Sequence, residues 1–484
     1  MIAIAKNLPG AGPGAVRVND IHSRLNPTSV ADYRRVRCAA DLRAGIADAR
    51  AASVPIAVCG GGHAMGGQQF ASDGMLFDTS GMNRILAFDA SSGLIEVEAG
   101  IQWPQLAAGY LEMQRGRRQQ WGIRQKQTGA DRLSIGGALA ANIHGRVLAN
   151  KPLIEDVRSF ELIDASGSRI ECSRSRNREL FQLAIGGYGL FGVIVTVTLQ
   201  LVPRRKLQRI VELRSINELR DSFASRIDDG YVYGDWQFRI DPDADGFLEE
   251  GVFSCYRPLD ADASIPGNQL YMTERGWQEL LLLAHTDKSQ AFDRFAGFYL
   301  ATSGQLYWSD QHQFTNYLDD YHAQLDARLP GACRGTEMIT ELYVPIDALP
   351  AFMVDARELL RADRADVIYG TVRLIEKDDE SFLAWARQDF ACIIFNLHVE
   401  HSVQGAADNR RIFRRLIDLA LRRNGSFFLT YHRYATRRQV ELAYPQFDAF
   451  LQAKDRYDPD GAWSSDWWRH YASLSGQCAT TIAV

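Results

Sequence analysis

The stretch VPIAVCGGGHAMGGQ, residues 54–68, decides how the rest of the chain is read. Its opening residues are apolar and β-branched, bounded by Pro55 near the start and Gly60 at the end, which is the pattern of a core strand. Gly60, Gly61 and Gly62 then remove successive Cβ atoms, so backbone N–H groups can close on an anion such as a pyrophosphate. A dinucleotide-binding Rossmann turn is the rival reading. It needs glycines at relative positions one, three and six and a helix opening inside the motif. Counted from Gly60, the sixth position is Met65, and the following GGQQFASDG opens a helix poorly, although Asp78 lies at a suitable distance downstream.

His63 directly follows the glycines. It can hydrogen-bond its own loop, or, set against the dimethylbenzene edge of a flavin, attack the C8 methyl carbon and tether the cofactor. The run GGGHAMGGQ, residues 60–68, resembles the pyrophosphate loop of the vanillyl-alcohol oxidase family of FAD enzymes, which includes cytokinin dehydrogenases, alditol oxidases and aldonolactone oxidases. Three further segments fall in the family's order: SIGGALAANIHG (134–145), GYGLFGVI (187–194) and YDPDGAW (457–463), so the resemblance spans most of the chain. It implies FAD held by Gly60, Gly61, Gly62, His63, Ala64, Gly67 and Gln68, with His63 as the covalent attachment point.

In the second segment, Gly136, Gly137 and Gly145 among small alanines let either a flat ring or another helix lie close to backbone. The resemblance makes Ser134, Gly136, Gly137, Ala140 and Gly145 cofactor contacts, together with Gly192 and Ile194 of the third segment. His144 either donates to the flavin or is a satisfied core polar group. Members with two tethers carry a cysteine shortly before the paired glycines, a position near Ala130 here, so a second bond is not expected. Cys59 stands where the family often has an arginine.

With 484 residues, 46% hydrophobic and 23% charged, the chain is long enough for two substantial globular domains. A net charge of −5 offers no global attraction to nucleic acid or an anionic membrane, and a small-molecule ligand fits better. The seven cysteines (Cys38, Cys59, Cys172, Cys255, Cys333, Cys392, Cys478) are odd in number and scattered without CxxC spacing, so neither a disulfide framework nor a zinc site is indicated, and no metal is expected. Reduced thiols, no signal-peptide core and no apolar run of membrane-spanning length together predict a cytoplasmic protein.

The predicted class is α+β. Residues 1–206 form a two-part FAD-binding domain of the PCMH type, 207–430 an antiparallel-sheet substrate domain, and 431–484 return to the FAD domain. The alanine-rich run 31–52 predicts a helix feeding the strand at 54–58. Short strands follow around 75–78 and 94–99, then a helix over 103–114, and strands joined by a turn at 165–167. PRRK at 203–206 marks the exit into runs such as GYVYGDWQFRI, ELYVPI, VIYGTVRLI and CIIFNLHVEH, whose β character suggests a sheet backed by helices. The basic helix at 409–424 reads as a solvated face, with phosphate or membrane contact as the rival.

The resemblance implies an oxidoreductase in which a C–H bond beside an alcohol or amine delivers hydride to the flavin, with molecular oxygen or another acceptor receiving the electrons. The substrate class it suggests is sugar-like, alditol or secondary metabolite. An oxygen-insensitive dehydrogenase and a non-catalytic flavin binder are the alternatives. The protein itself must supply a base. In FFLTYH, His432 falls where alditol oxidases place a catalytic lysine, and a histidine titrates in the useful range; its rival role is a core histidine. Arg373 in GTVRLIE resembles the arginine those enzymes hold over the substrate, since an interior arginine on a strand demands a partner. Asp131 is the acid nearest the cytokinin dehydrogenase aspartate, two residues out of register. His398, Tyr343, Tyr431 and His312 are further site candidates.

Overall fold

The structure is a computed structural model that describes the backbone of residues 3–5 and residues 15–314, 318, 321–329 and 334–474. The strand expected at 54–58 is Ile56–Cys59. It pairs in parallel with Met75–Asp78, which pairs in parallel on its other edge with Asp32–Arg35. Parallel strands need a crossover connection, and the helix Ala39–Ala51 carries the chain from Asp32–Arg35 on one edge of the sheet to Ile56–Cys59 on the other. Here the expectation of one continuous helix over 31–52 is corrected. Its first residues complete the ladder with Met75–Asp78, and tertiary pairing overrides the local preference of the alanine-rich run.

A second, five-stranded antiparallel sheet has the order Arg169–Ser173, Val157–Ile163, Val193–Gln200, Leu94–Glu98, Ile85–Asp89. The helices Trp103–Met113 and Ile135–Ala141 bury Trp103, Leu106, Tyr110, Ile135, Ala138 and Leu139 in the main core with that sheet's Val97 and Val197.

From Lys206 onward the strands join an eight-stranded antiparallel sheet ordered Leu306–Trp308, Lys206–Ser215, Glu250–Pro258, Tyr233–Phe238, Val367–Ile375, Phe390–Glu400, Gly335–Val344, Ser426–Phe427. In a sheet, alternate residues share a face. The register puts Asp235 and Gln237 on the same face as Arg373, Thr371 and Tyr369, and these with Asn396, Ile394, Ile339 and Glu341. The helix Val403–Leu421 packs on the strands Gly335–Val344 and Phe390–Glu400, while Glu274–Thr286 and Lys288–Ala301 pack against Val367–Ile375 and Lys206–Ser215. Several arginines of the basic helix are engaged within the protein: Arg415 and Arg411 with Asp363, and Arg414 Nε donating to the Tyr434 carbonyl at 2.6 Å. No helix among the described residues is long and apolar enough to cross a membrane.

The C-terminal YDPDGAW segment docks beside the strand that opened the reading. Ile56 N donates to the Ala462 carbonyl at 2.7 Å and Ser464 N to the Ile56 carbonyl at 2.9 Å, a parallel bridge around Trp463. The turn before it is organised by Asp458, whose buried carboxylate accepts from Lys454 Nζ at 2.5 Å, Ala462 N at 3.0 Å and Trp463 N at 2.8 Å. Removing one partner of a buried, hydrogen-bonded ion pair costs about 3–5 kcal/mol. Asp458→Ala is therefore expected to lower the urea midpoint by a corresponding amount, read by tryptophan fluorescence, and an unchanged midpoint would show that the turn holds without its carboxylate.

Candidate active site

A cavity of about 950 Å³ extends from the glycine loop to the polar face of the large sheet, near the upper end of small-molecule sites. At its first end the loop backbone approaches the second glycine segment too closely for side chains. A Cβ on Gly60 would stand 2.0 Å from Ser134 Oγ, and one on Gly61 would stand 2.3 Å from the Arg132 carbonyl oxygen. Gly62 has φ of 80°, a conformation that L side chains rarely adopt. The Ser134 hydroxyl caps the helix Ile135–Ala141 by accepting from Gly137 N.

Of the expected cofactor contacts, Gly60, Gly61, Gly62, His63, Ala64 and Gln68 line the cavity. So do Ser134, Gly136, Gly137, Ala140, Gly192 and Ile194. Gln68 also ties the loop to the far end, since its Nε2 donates to the Thr430 carbonyl at 2.7 Å. Burial, and then the neighbouring His22, lower the His63 imidazole to about 3, so the ring is neutral near pH 7.

The second end is built from strands of the large sheet and carries polar groups without protein partners. Nε and Nη1 of Arg373 are buried and make no hydrogen bond among the described residues; the same holds for Asn396 Oδ1 and Gln237 Oε1. His312 lies 3.0 Å from Arg146 Nη2 through Nδ1. Because the guanidinium can only donate, Nδ1 accepts and the ring proton sits on Nε2, another buried atom without a hydrogen-bond partner. Burial, followed by Arg146, Arg209 and Lys126, depresses His312 well below its ordinary range and keeps it neutral. Buried polar atoms are normally satisfied, so several unsatisfied donors and acceptors converging on one cavity mark a ligand site.

Tyr431 reaches the cavity as well. Its hydroxyl donates to Glu341 Oε2 at 3.1 Å and accepts from Gln127 Nε2 at 2.6 Å. Glu341 is fully buried and also receives Tyr343, while its Oε1 lies 2.6 Å from His144 Nε2. Burial works to raise the Glu341 carboxyl, but His144 and Tyr343 outweigh it and hold the group below the usual range.

Several expected site residues stand elsewhere. His432 follows Tyr431 where the chain turns and bends beyond the strand Ser426–Phe427, and its side chain lies on the other side. Its Nε2 lies 3.3 Å from Thr340 Oγ1, on the opposite sheet face from Glu341, and its ring packs against Phe413 and Tyr434. Burial lowers it to about 3. The structure thus places His432 in the helix-backed core, away from the cavity wall. Asp131 also lies off the wall, paired with the buried Lys126 at 2.5 Å. Of the two roles open to His144, the geometry is that of a core polar group, held by the Gly145 carbonyl and Glu341 and packed against Trp385. Gly145 and Gly67 sit behind the wall, the latter against the Arg433 guanidinium. Among the further candidates, His312 and Tyr431 line the cavity, whereas Tyr343 and His398 do not.

Sequence reasoning missed Glu341, Gln237, Asn396, Asp235 and Arg146. A signal existed for the first: in TEMITELYV two glutamates alternate on one face of an otherwise apolar strand, where an acid is expensive unless partnered.

The loop that no Cβ can enter, the small-residue wall and the neutral His63 beside it fit a flavin dinucleotide. Residues 31–173 match the FAD binding domain family, and this part of the chain is an FAD-binding domain of the PCMH type. Among curated proteins, the chain is 31% identical over 204 residues to L-gulonolactone oxidase of Bos taurus, covering 42% of each chain. It is 24% identical over 410 residues to L-gulono-1,4-lactone dehydrogenase of Mycobacterium tuberculosis, covering 82% of this chain and 86% of that one. Cytokinin dehydrogenase 9 of Oryza sativa is 28% identical over 189 residues, covering 38% of this chain and 34% of that one. The matches to the bovine and rice proteins span less than half of their lengths.

The loop contact generates a test. Gly61→Ala forces a Cβ against the Arg132 carbonyl and must part the two loops. The purified variant is expected to lose most of its flavin, measured as visible flavin absorbance relative to protein, and full retention would mean that FAD does not depend on this contact.

Proposed function

We propose that the chain is an FAD-dependent oxidoreductase acting on an alcohol C–H bond of a polar, sugar-like substrate, of the aldonolactone or alditol kind. The carrying observation is the cavity itself, which joins the glycine loop to a sheet face where several buried donor and acceptor atoms make no hydrogen bond among the described residues. His312 Nε2–H and Arg373 offer donors; Asn396 Oδ1 and Gln237 Oε1 offer acceptors. A polyol or lactone bearing several hydroxyls matches such alternation, whereas an apolar substrate would leave every one of these groups unpaired. The names of the bovine and mycobacterial relatives, an oxidase and a dehydrogenase of gulonolactone, support the same substrate class.

In this reading residues 1–206 and 431–484 hold the cofactor and 207–430 the substrate. The docking of Trp463 beside Ile56 and the start of the large sheet at Lys206 support that division. FAD, when bound, supplies the hydride acceptor, and its electrons pass on to oxygen or another acceptor. The chain's own task is the proton. Tyr431 Oη takes the substrate hydroxyl proton as it passes its own to Glu341. Burial, then Glu341, raises the Tyr431 phenol well above its ordinary range, so the residue relays a proton instead of resting as a phenolate. Arg373 holds the substrate oxygen. The attachment through His63 is part of the proposal: its ring nitrogen would be the atom through which the chain holds the flavin covalently. The neutral ring at the cavity wall supports it.

Anaerobic mixing of the holoprotein with L-gulono-1,4-lactone, related aldonolactones and alditols is expected to bleach the flavin, and failure with all polyol donors would favour a non-catalytic flavin binder. Air readmission then separates an oxidase, which regains colour quickly, from a dehydrogenase. Tyr431→Phe should keep its flavin and slow reduction by about a hundredfold to ten-thousandfold in stopped flow. His432→Ala should lower thermal stability with little change in that rate; the reverse pattern would return the base to His432. For the tether, flavin fluorescence should stay with the denatured polypeptide, and His63→Ala should release it while still binding FAD; flavin washing out of the wild type on denaturation rejects it.

A further inference from the structure

Beside the cavity, whose wall includes His22 and Tyr321, four histidines gather about one carboxylate. Glu337 is 1% exposed on the strand Gly335–Val344. His285 Nε2, at the end of the helix Glu274–Thr286, lies 3.1 Å from Glu337 Oε1, and His398 Nδ1 lies 3.4 Å from the same oxygen. His322 Nδ1 stands 3.1 Å from Oε2, which also accepts from the Tyr321 hydroxyl. His22 is close enough for its charge to couple to Glu337.

His285 Nε2 and His322 Nδ1 are buried and make no aligned hydrogen bond among the described residues despite their short distances to the carboxylate. His398 Nδ1, by contrast, is within hydrogen-bonding reach of Oε1 at 3.4 Å, so three ligand-type atoms crowd one side of the carboxylate. The His285, Glu337 and His398 ligand atoms all lie within 4.8 Å of one another. Ligands about 2.0–2.1 Å from a tetrahedral zinc are separated by about 3.3–3.4 Å, close to the spacing of each nitrogen from Oε1. The cluster of His144, Glu341 and Cys392 makes the contrast: its carboxylate is taken up by His144, Tyr343 and Tyr431 at hydrogen-bonding distance, and no vacancy for an ion follows from it.

We propose that His285, Glu337 and His398 bind one divalent cation of the zinc class, with solvent as the fourth ligand and Tyr321 and His322 positioning the free carboxylate oxygen. Two imidazoles and one carboxylate are a donor set that suits zinc over calcium or magnesium. The ion joins the helix Glu274–Thr286 to two strands of the large sheet. Since that helix lines the cavity through Trp277, Leu280, Leu281 and Ala284, the ion fixes one wall of the substrate end. Its role is structural, and it stands independently of the proposed reaction.

The holoprotein, freed of metal with a chelator and titrated with zinc in a calorimeter, is expected to take up one tight equivalent per chain and to melt at a higher temperature afterwards. His398→Ala, which removes the most exposed of the three ligand side chains at 21%, should weaken that equivalent at least tenfold, as should Glu337→Gln. Both variants are checked by circular dichroism and flavin content, and His398→Ala carries the test if Glu337→Gln fails to fold. No stoichiometric uptake by the wild type, or undiminished uptake by folded His398→Ala, overturns the proposal and leaves Glu337 as a hydrogen-bond partner of its neighbours alone.

Discussion

Two backbone segments lie in contact at a distance that excludes a single carbon atom, and the rest of the molecule is arranged around that approach. Gly60 and Gly61 meet residues 132–134 with no room for a Cβ on either glycine. The contact holds only because each segment is anchored behind. The strand Ile56–Cys59 is clasped by Met75–Asp78 on one side and by the Trp463 bridge on the other. The second segment is hung from the five-stranded sheet, where Ile135 N and Gly136 N donate to the Ile101 and Ala99 carbonyls. Gln68 then ties the loop to the Thr430 carbonyl, one residue before Tyr431, so the glycine loop and the polar end of the cavity are held in fixed relation.

What could be read in advance follows from the range of each signal. Residues 54–68 were legible because strand, glycines and histidine are contiguous, and Arg373 because a charge on an apolar strand has few explanations. His432 failed for a reason of phase. Only Ser426–Phe427 of FFLTYH's neighbourhood pairs in the sheet, so no ladder fixes which side chains of the following segment face inward, and the turn of one residue exchanges Tyr431 for His432. The start of the helix at 31–52 failed because a parallel partner more than forty positions away in the chain claimed Asp32–Arg35, as the pairing of Tyr33 with Leu76 shows. Glu341 and Glu337 were visible as acids but not as sites, since their partners come from segments remote in the chain.

The cavity's charges differ in how they are accommodated. Lys126 is buried, and burial lowers its ammonium despite Asp131, yet three oxygens receive it: Asp131 at 2.5 Å, the Gln127 carbonyl at 2.8 Å and the Gln313 carbonyl at 3.1 Å. Arg209 donates to Thr302 and Tyr256 and lies over the Tyr307 ring at 4.6 Å. Arg373 has no such provision for Nε and Nη1. Burying a guanidinium without acceptors costs several kcal/mol, of the order of a large fraction of a protein's stability. Among the described residues Arg146 Nε is likewise without a hydrogen-bond partner, and both guanidiniums open into the cavity, where a ligand's oxygens can meet them.

The two glutamates of the strand Gly335–Val344 carry the same argument one step further. Glu337 and Glu341 sit four residues apart, so they share a face and a sheet environment, and each is 1% exposed. Burial and charge therefore cannot explain why one serves the cavity and the other does not. The difference lies in the donors that surround them. Glu341 is met by two phenol hydroxyls, each with a single proton to give, and by one imidazole, and the only one of these that reaches the cavity is Tyr431. Glu337 is met by a phenol too, but Tyr321 donates to Oε2, and His322 stands beside that same oxygen. Oε1 is left to His285 and His398 at 3.1 and 3.4 Å, a grouping of nitrogen and oxygen atoms about one volume that suits coordination.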